Sequence, residues 1–429
     1  MVMAHEFQPD EEFALGLDAE DALAAFRARF HLPRGRDGGP AIYFNGNSLG
    51  LQPTDATEWV NRELEDWGRL AVDAHFEGRT PWYSYHEVFR ESAARLVGAR
   101  PGEAVMMNGL TVNLHLMMVS FYRPTAERYK ILIEDSAFPS DVYAVKSQLR
   151  YHGHDPSDAL LVARGGGGRS AIEAGEWDEI LERHGGEIAL VLVGGVNYYT
   201  GQAFDMQRIT ARAHEQGCVV GFDLAHAAGN LVLRLHEWQV DFAVWCSYKY
   251  LNGGPGAVAG CFVHERHHDR VDLPRFAGWW GNDPQARFER HGEPEFEPLQ
   301  SADGWQLSNP PIFAMAPLRA SMEIFDEAGM GPLRSKSMRL TAYLGYWIDR
   351  AGPERIEVLT PREPESRGCQ ISMRARVRPR ELFDSLRAAG VFADFREPDV
   401  VRVAPVPLYN SFHEVWRLGR ALAAWGETR

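Results

Sequence analysis

Cysteine is scarce in this chain. It has four in 429 residues: Cys218, Cys246, Cys261 and Cys369. No two form a C-x-x-C pair and three lie in apolar runs, which argues against a disulfide framework or a zinc ribbon. Reduced, buried thiols in a cytoplasmic protein are expected. No run of about 18 uncharged apolar residues is present either, so no membrane span is expected. The opening "MVMAHEFQPDEEFALGLDAEDALAAFRARF" is acidic and lacks the basic-then-apolar order of a secretion signal. Positive charge is in deficit, 45 Lys and Arg against 59 Asp and Glu, a formal net charge of −14. Such a surface repels phosphate backbones, so a nucleic-acid partner is not expected. No internal repeat is found. The glycine cluster "RGGGGRS" (164–170) lacks the Lys-Ser/Thr of a phosphate loop and reads as a flexible surface loop. The run "HERHH" (264–268) lacks a third ligand at metal spacing and reads as surface, so no metal site is expected.

What remains is an ordinary globular composition, 45% hydrophobic and 24% charged. It supplies enough apolar residues for two cores, and the length suits a large domain with a smaller one attached. Residues 54–70 and 85–97 have helical spacing. From about residue 100 short apolar runs follow: "YKILIE", "EIALVLV", "GCVVGF", "DFAVWC" and "AVAGCFV". Helix-like segments such as "WDEILERHG" separate several of them. Strands covered on both faces read this way, and the alternation predicts an α/β architecture with a parallel sheet flanked by helices. Residues 312–350 are helical in pattern. "CQISMRARV", "PRELFDSLRAAG" and "VVRVAPVPLYN" then give strand, helix, strand, a compact α+β unit. The expected division is an N-terminal segment 1–65, a large domain 66–310 and a small C-terminal domain 311–429, broken at Pro310-Pro311.

Chemistry enters with a pair. In "CVVGFDLAHAAG" Asp223 ends a buried strand, at the edge where open parallel sheets bind ligands. A lone strand-end Asp commonly caps the next helix. Lys249, in "SYKYLNGGPG", comes just past the next strand and should reach the same edge. Together they suit pyridoxal 5'-phosphate: the lysine condenses with the aldehyde, and the carboxylate keeps the pyridine nitrogen protonated. In "NGLTVNLHL" Gly109 and Thr111 open a helix whose N-terminus could seat a phosphate. Phe138, in "EDSAFPSD", stands on a loop where a ring could stack on a flat cofactor.

The stretches "GFDLAHAAGN", "WCSYKYLNGGPG", "FPSD", "GWWG", "SNPP" and "RVAPVPLYNSF" resemble the kynureninases, from about "YFNGNSLG" to "VAPVPLYNSF". These are fold-type-I enzymes dependent on pyridoxal phosphate. The resemblance implies a mostly parallel seven-stranded sheet and hydrolysis of L-kynurenine or 3-hydroxy-L-kynurenine to an anthranilate and L-alanine, in tryptophan catabolism or a related biosynthetic pathway. It implies that Lys249 carries the cofactor, that Asp223 partners the pyridine nitrogen, with His226 beside it, and that Phe138 stacks on the ring. Leu110, Thr111, Ser140 and Asp141 would line the cofactor site and Tyr248 would bond its phosphate. Tyr248 is also the candidate proton relay. Trp279 and Asn309 would reach in from the second subunit of a homodimer. Arg402 would bind the substrate α-carboxylate, and His75 would face the substrate's aromatic ring. His75 with Asn309 resembles the branch that prefers 3-hydroxykynurenine. Gly194 stands where some relatives have a serine, and it is left out of the expected site. Two rivals stand beside this reading. A cysteine desulfurase would need a thiol on a mobile loop, and Cys369 sits in a strand-like run. A non-catalytic cofactor-binding regulator would need a DNA-binding module, for which neither terminus has the room or the charge.

Overall fold

The computed structural model describes residues 7–35, 38–270, 272–284, 287 and 296–427. Helix α1 (Glu11–Ala19) and the two-residue strand β1 (Ile42–Tyr43) come first. Helices α2 (Ala56–Leu70), α3 (Ala74–Glu77) and α4 (Arg90–Val97) lead into strand β2 (Ala104–Met106). Helices and strands then alternate: α5 (Leu110–Phe121), β3 (Lys130–Glu134), α6 (Pro139–Tyr151), α7 (Pro156–Ala159), β4 (Leu160–Ala163), α8 (Ala174–His184), β5 (Ile188–Gly194), α9 (Met206–Glu215) and β6 (Val219–Asp223). Strands β7 (Phe242–Trp245) and β8 (Gly260–Val263) close this part. Helices α10 (Ile312–Ala328) and α11 (Met330–Ala351) follow. The chain then forms β9 (Ile356–Val358), β10 (Ile371–Ala375), α12 (Pro379–Ala388), β11 (Val391–Phe392), β12 (Asp394–Arg396), β13 (Val400–Val403) and α13 (Phe412–Glu427).

Seven strands form one sheet in the order β2-β8-β7-β6-β5-β3-β4. Strands β3 to β7 run parallel, and β8 is antiparallel to both of its neighbours. The central strand β5 shows why: six of its seven residues are buried, as a strand with helices on both faces requires. Apolar clusters fill both sides of this sheet. A second, four-stranded antiparallel sheet, β12-β13-β10-β9, has its own core with α1, α11, α12 and α13.

The sequence reading met local differences. Residues 85–97 are not one α-helix: a 3-10 turn over Trp82–Phe89 precedes α4. Strands β2 and β4 leave only a weak mark in the sequence, because β2 has three residues and β4 is only half-buried. The "HERHH" run is not surface throughout. His264 is buried beside Glu103, and His267 is buried with its Nε2 2.8 Å from Asp241. Buried imidazoles need polar partners: His264 Nδ1 accepts from Arg266 N at 3.2 Å, and His267 has the Asp241 carboxylate. Packing also bears on the domain division. Met315, Leu318, Met322 and Phe325 of α10 join the core of the seven-stranded sheet, whereas Leu340, Tyr343 and Trp347 of α11 join the second core. Ala14, Ile42 and Phe44 join that second core too. We therefore propose a boundary at Gly329, between α10 and α11, with α1, Ile42 and Phe44 packing on the small domain while Leu23 and Phe30 pack on the large one.

Candidate active site

Parallel strands bring their carboxyl ends to one edge. Glu134 ends β3, Gly194 ends β5 and Asp223 ends β6, while the loop after β7 carries Tyr248 and Lys249. Strand β4 pairs on one side of β3 and β5 on the other, which opens a crevice at that edge. The pocket there is lined by nine of the expected residues: Leu110, Thr111, Phe138, Ser140, Asp141, Asp223, His226, Tyr248 and Lys249.

The lysine is held from several sides. Its Nζ lies 3.1 Å from His226 Nε2 and 5.6 Å from the centre of the Phe138 ring. The backbone around it is pinned: Gly50 N donates to Tyr248 O at 2.8 Å, and Asn252 N donates to Lys249 O at 3.0 Å. Gly50 belongs to the "YFNGNSLG" segment, and a Cβ there would stand 2.3 Å from Lys249 O. Only glycine allows that approach. The tight run that follows Lys249 turns through Asn252 at φ 52° and Gly254 at φ 89°.

The electrostatics follow from burial. Asp223 is 7% exposed, and its Oδ1 accepts from Ala225 N at 2.7 Å. Burial, with the nearby Asp223 charge second, pushes the Asp141 carboxyl well up. Burial likewise lifts Glu134 to about 7, against the hydrogen bonds it accepts from Gly194 N. His226 is driven well down, first by burial and then by the Lys249 charge, so its ring is neutral. Burial also pushes the Tyr248 hydroxyl up.

The site fits pyridoxal phosphate on its own terms. Buried His226 Nδ1 and Asp141 Oδ1 have no hydrogen-bond partner and line this pocket. Helices α5 and α6 both begin at it, and neither has a side-chain cap. The first N–H groups of α5, the N–H of Ser140 in α6 and the two helix dipoles favour an anion. Thr111 Oγ1 and Ser140 Oγ lie 3.1 Å apart between those two N-termini, placing two hydroxyls at the same spot.

The other expected residues lie elsewhere. Arg402 is fully buried on β13, and its Nη1 donates at 2.6 Å to the carbonyl of Tyr198, a pocket residue. Asn309 is exposed and lines a neighbouring cavity of about 540 Å³, which shares Leu110 and Tyr248 with the site. Trp279 is 45% exposed, outside the pocket. His75 is outside it as well, its Nδ1 2.9 Å from Val72 O and its ring against Trp82.

Five residues of the pocket lie outside that expectation: Glu134, Gly194, Val196, Tyr198 and Ala225. Glu134 carries the same signal as Asp223, an acid closing a buried strand. Tyr198 follows β5, and its ring meets Phe138 edge-on at 5.1 Å. Gly194, left out of the expected site, forms part of the wall, where a Cβ would stand 2.8 Å from Glu134 Oε1. All four cysteines are buried. Away from the pocket, Glu103, His236 and His264 bring possible metal-ligand atoms within 4.8 Å of one another. Glu103 there already accepts from the N–H groups of Arg100 and Glu265 and contacts His236 Nδ1 at 2.9 Å, so it serves as a structural tie.

Comparison with known proteins agrees with this geometry. The kynureninase C-terminal domain family matches residues 333–422. A kynureninase of Myxococcus xanthus is 56% identical, covering 98% of this chain and 99% of the relative. Kynureninases of Koribacter versatilis and Flavobacterium psychrophilum are 55% and 51% identical, covering 98% and 97% of this chain and 99% and 98% of theirs. Among solved structures, an apo cysteine desulfurase of Thermococcus onnurineus superposes with a TM-score of 0.72 at 16% identity, covering 90% of this chain and 94% of that one. The cysteine desulfurase CsdA of Escherichia coli gives 0.75 at 16% identity, covering 94% and 98%. The distant structures establish the fold-type-I architecture. The sequence identity over nearly the full length goes further: this chain belongs to the kynureninase family, enzymes dependent on pyridoxal phosphate.

Proposed function

We propose that this enzyme hydrolyses the Cβ–Cγ bond of 3-hydroxy-L-kynurenine in preference to L-kynurenine, releasing L-alanine and the matching anthranilate. We assign it to the cytoplasm, as a homodimer with shared active sites. The observation that carries the reaction is the convergence of Lys249, Asp223, His226 and two uncapped helix N-termini on one pocket. Pyridoxal phosphate, when bound, supplies the electron sink that makes the substrate Cα–H acidic and the Cβ–Cγ bond breakable. Lys249 would hold the cofactor through its aldehyde. As a free amine it would take the proton from Cα, and neutral His226 would steady that amine as a hydrogen-bond acceptor. Asp223 holds a proton on the pyridine nitrogen from a site shielded from water. Thr111, Ser140 and the N–H groups of α5 and α6 seat the phosphate, Phe138 covers the ring, and Leu110 and Asp141 complete the pocket wall. Tyr248 bonds the phosphate and relays a proton. Arg402 binds the α-carboxylate with a planar fork that matches it.

Trp279 of the partner subunit and Asn309 of the partner subunit complete each site in this reading. It is supported by their exposure in the single chain and by a surface pair, Trp67 and Phe313, with ring centres 5.8 Å apart and side chains 55% and 42% exposed. Aromatic surface of that kind favours association. Four buried free thiols suit a reducing cytoplasm, and no helix among the described residues is long and apolar enough to cross a membrane. A desulfurase reading is disfavoured by Cys369, whose thiol is fully buried and pushed up to about 12 by that burial.

Substrate choice is argued from polarity. A ring hydroxyl buried without partners costs about 1–3 kcal/mol, and His75 and Asn309 both offer hydrogen bonds. A site built to bond a hydroxyl also disfavours a substrate lacking one. Measured kcat/KM should favour 3-hydroxykynurenine by at least about tenfold, a gap of roughly 1.4 kcal/mol. His75→Trp combined with Asn309→Thr should narrow or reverse it. Equal efficiency in the parent enzyme, or a preference that survives both changes, removes these residues from the role.

A further inference from the structure

Arg402 stands on β13 directly across the ladder from Asp394 of β12. Its side chain is 1% exposed, yet its hydrogen bonding is incomplete. Nη2 donates to Asp394 and Nη1 donates to Tyr198 O, while the Nε–H is buried without an acceptor. The same Asp394 oxygen accepts from Arg396, at 3.2 Å from Nε and 3.0 Å from Nη2. Both guanidinium groups lie near the ring of Tyr198, 5.8 Å from its centre for Arg402 and 6.0 Å for Arg396. That ring touches Phe138, which in turn faces Lys249 Nζ. The cluster is therefore next to the reacting centre. Two arginines and one aspartate leave one positive charge, which a single incoming carboxylate neutralises.

We infer that Asp394 and Arg396 form a carboxylate receptor with Arg402: Asp394 clamps one edge of the guanidinium, and the unpaired Nε–H edge is left for the substrate α-carboxylate. Asp394 is a positioning residue, since it acts through Arg402. Arg396 offsets the charge of Asp394, so that two carboxylates share one guanidinium without repelling each other. This inference rests on the reading of Arg402 as the α-carboxylate binder. A buried donor with no acceptor is costly to keep, and a ligand that supplies the acceptor recovers that cost on binding. Burial lowers the Arg402 guanidinium to about 10, which leaves it charged at neutral pH.

The test compares kynurenine with the amine left when its carboxylate is removed, using the holoenzyme. Steady-state kinetics follow kynurenine, and calorimetry measures the amine's dissociation constant. Contact with an unreactive carboxylate is made in the ground and transition states alike, so Asp394→Asn should raise KM for kynurenine about tenfold and change kcat less than about threefold. Amine binding should stay within about twofold, because the amine never meets the cluster. Arg396→Ala, at a side chain 38% exposed, should shift KM in the same direction and does not depend on how Asp394→Asn folds. Equal weakening of kynurenine and the amine would show a general structural role and overturn the inference. So would an unchanged KM in both variants. Arg402→Ala separates the two levels. If it weakens both ligands alike, or neither, the reading of Arg402 has failed; if it affects kynurenine alone while Asp394→Asn and Arg396→Ala change nothing, only the receptor has failed.

Discussion

At the scale of single residues, Glu134 has the most direct consequence. Its carboxyl is raised from the ordinary 4.5 to about 7 by burial, and Asp141 and Asp223 lie nearby. The folded protein therefore holds a proton that the unfolded chain releases between those two values. The stability this contributes is complete below 4.5 and is lost as pH rises through 7. At pH 8 the loss is at most about 3 kcal/mol. Glutamine cannot ionise and still offers Gly194 N an acceptor. Thermal unfolding of the apoprotein should show Glu134→Gln close to the parent at pH 5 and several degrees higher at pH 8. The same shift at both pH values would contradict this. Asp223 makes a second prediction. Asn keeps its shape but cannot stabilise a charge on the pyridine nitrogen, so Asp223→Asn should slow deuterium exchange at the substrate α-carbon at least about tenfold, the loss of one charge-assisted bond. Near-normal exchange would remove Asp223 from that role. Much of this chemistry was legible in the sequence because strand-end residues reveal their place through the apolar run before them. Asp223 is legible that way, and Glu134 carries the same sign. Asp394 is not. Its importance comes from pairing across a ladder with Arg402, and a three-residue strand leaves no periodicity to read.

At the scale of elements, the lysine loop depends on a segment about 200 residues earlier in the chain. The "YFNGNSLG" stretch delivers Gly50 N to Tyr248 O, and the loop's own backbone leaves no room for a Cβ at that point. Gly50→Ala should therefore displace the Lys249 backbone, lower the share of enzyme carrying cofactor and reduce turnover at least about tenfold. Spectra of the bound cofactor measure the first and a kinetic assay the second. An alanine variant with the parent's spectrum and rate would mean that the loop moves freely. The alternating strands and helices were legible because buried parallel strands are uniformly apolar, as β5 is. The 3-10 turn at Trp82–Phe89 was not, since its side chains keep a near-helical spacing while Ser84 breaks the helical backbone. The place of α10 was also hidden. Helix α10 begins at Ile312, just after Pro310-Pro311, but its packing is decided by which core accepts Met315, Leu318 and Phe325.

At the scale of the whole molecule, the claim is that two chains share each site. Lys249 and Asn309 would then come from different subunits. Lys249→Ala and Asn309→Ala homodimers should each be impaired, while mixing them after dissociation should restore activity, because one site per mixed dimer has both native residues. No recovery on mixing would place Lys249 and Asn309 of one site on the same chain. Light scattering should give twice the mass of the chain. The central claim is that the pocket at the ends of β3, β5 and β6 cleaves kynurenines through Lys249. The most direct measurement incubates the purified holoenzyme with kynurenine and counts anthranilate by its fluorescence and alanine by amino-acid analysis, beside Lys249→Ala and beside a sulfide assay with cysteine. The account predicts anthranilate and alanine in equal amounts from the parent, negligible amounts from Lys249→Ala, and no sulfide. Turnover that persists in Lys249→Ala, or sulfide release in place of anthranilate, would contradict it.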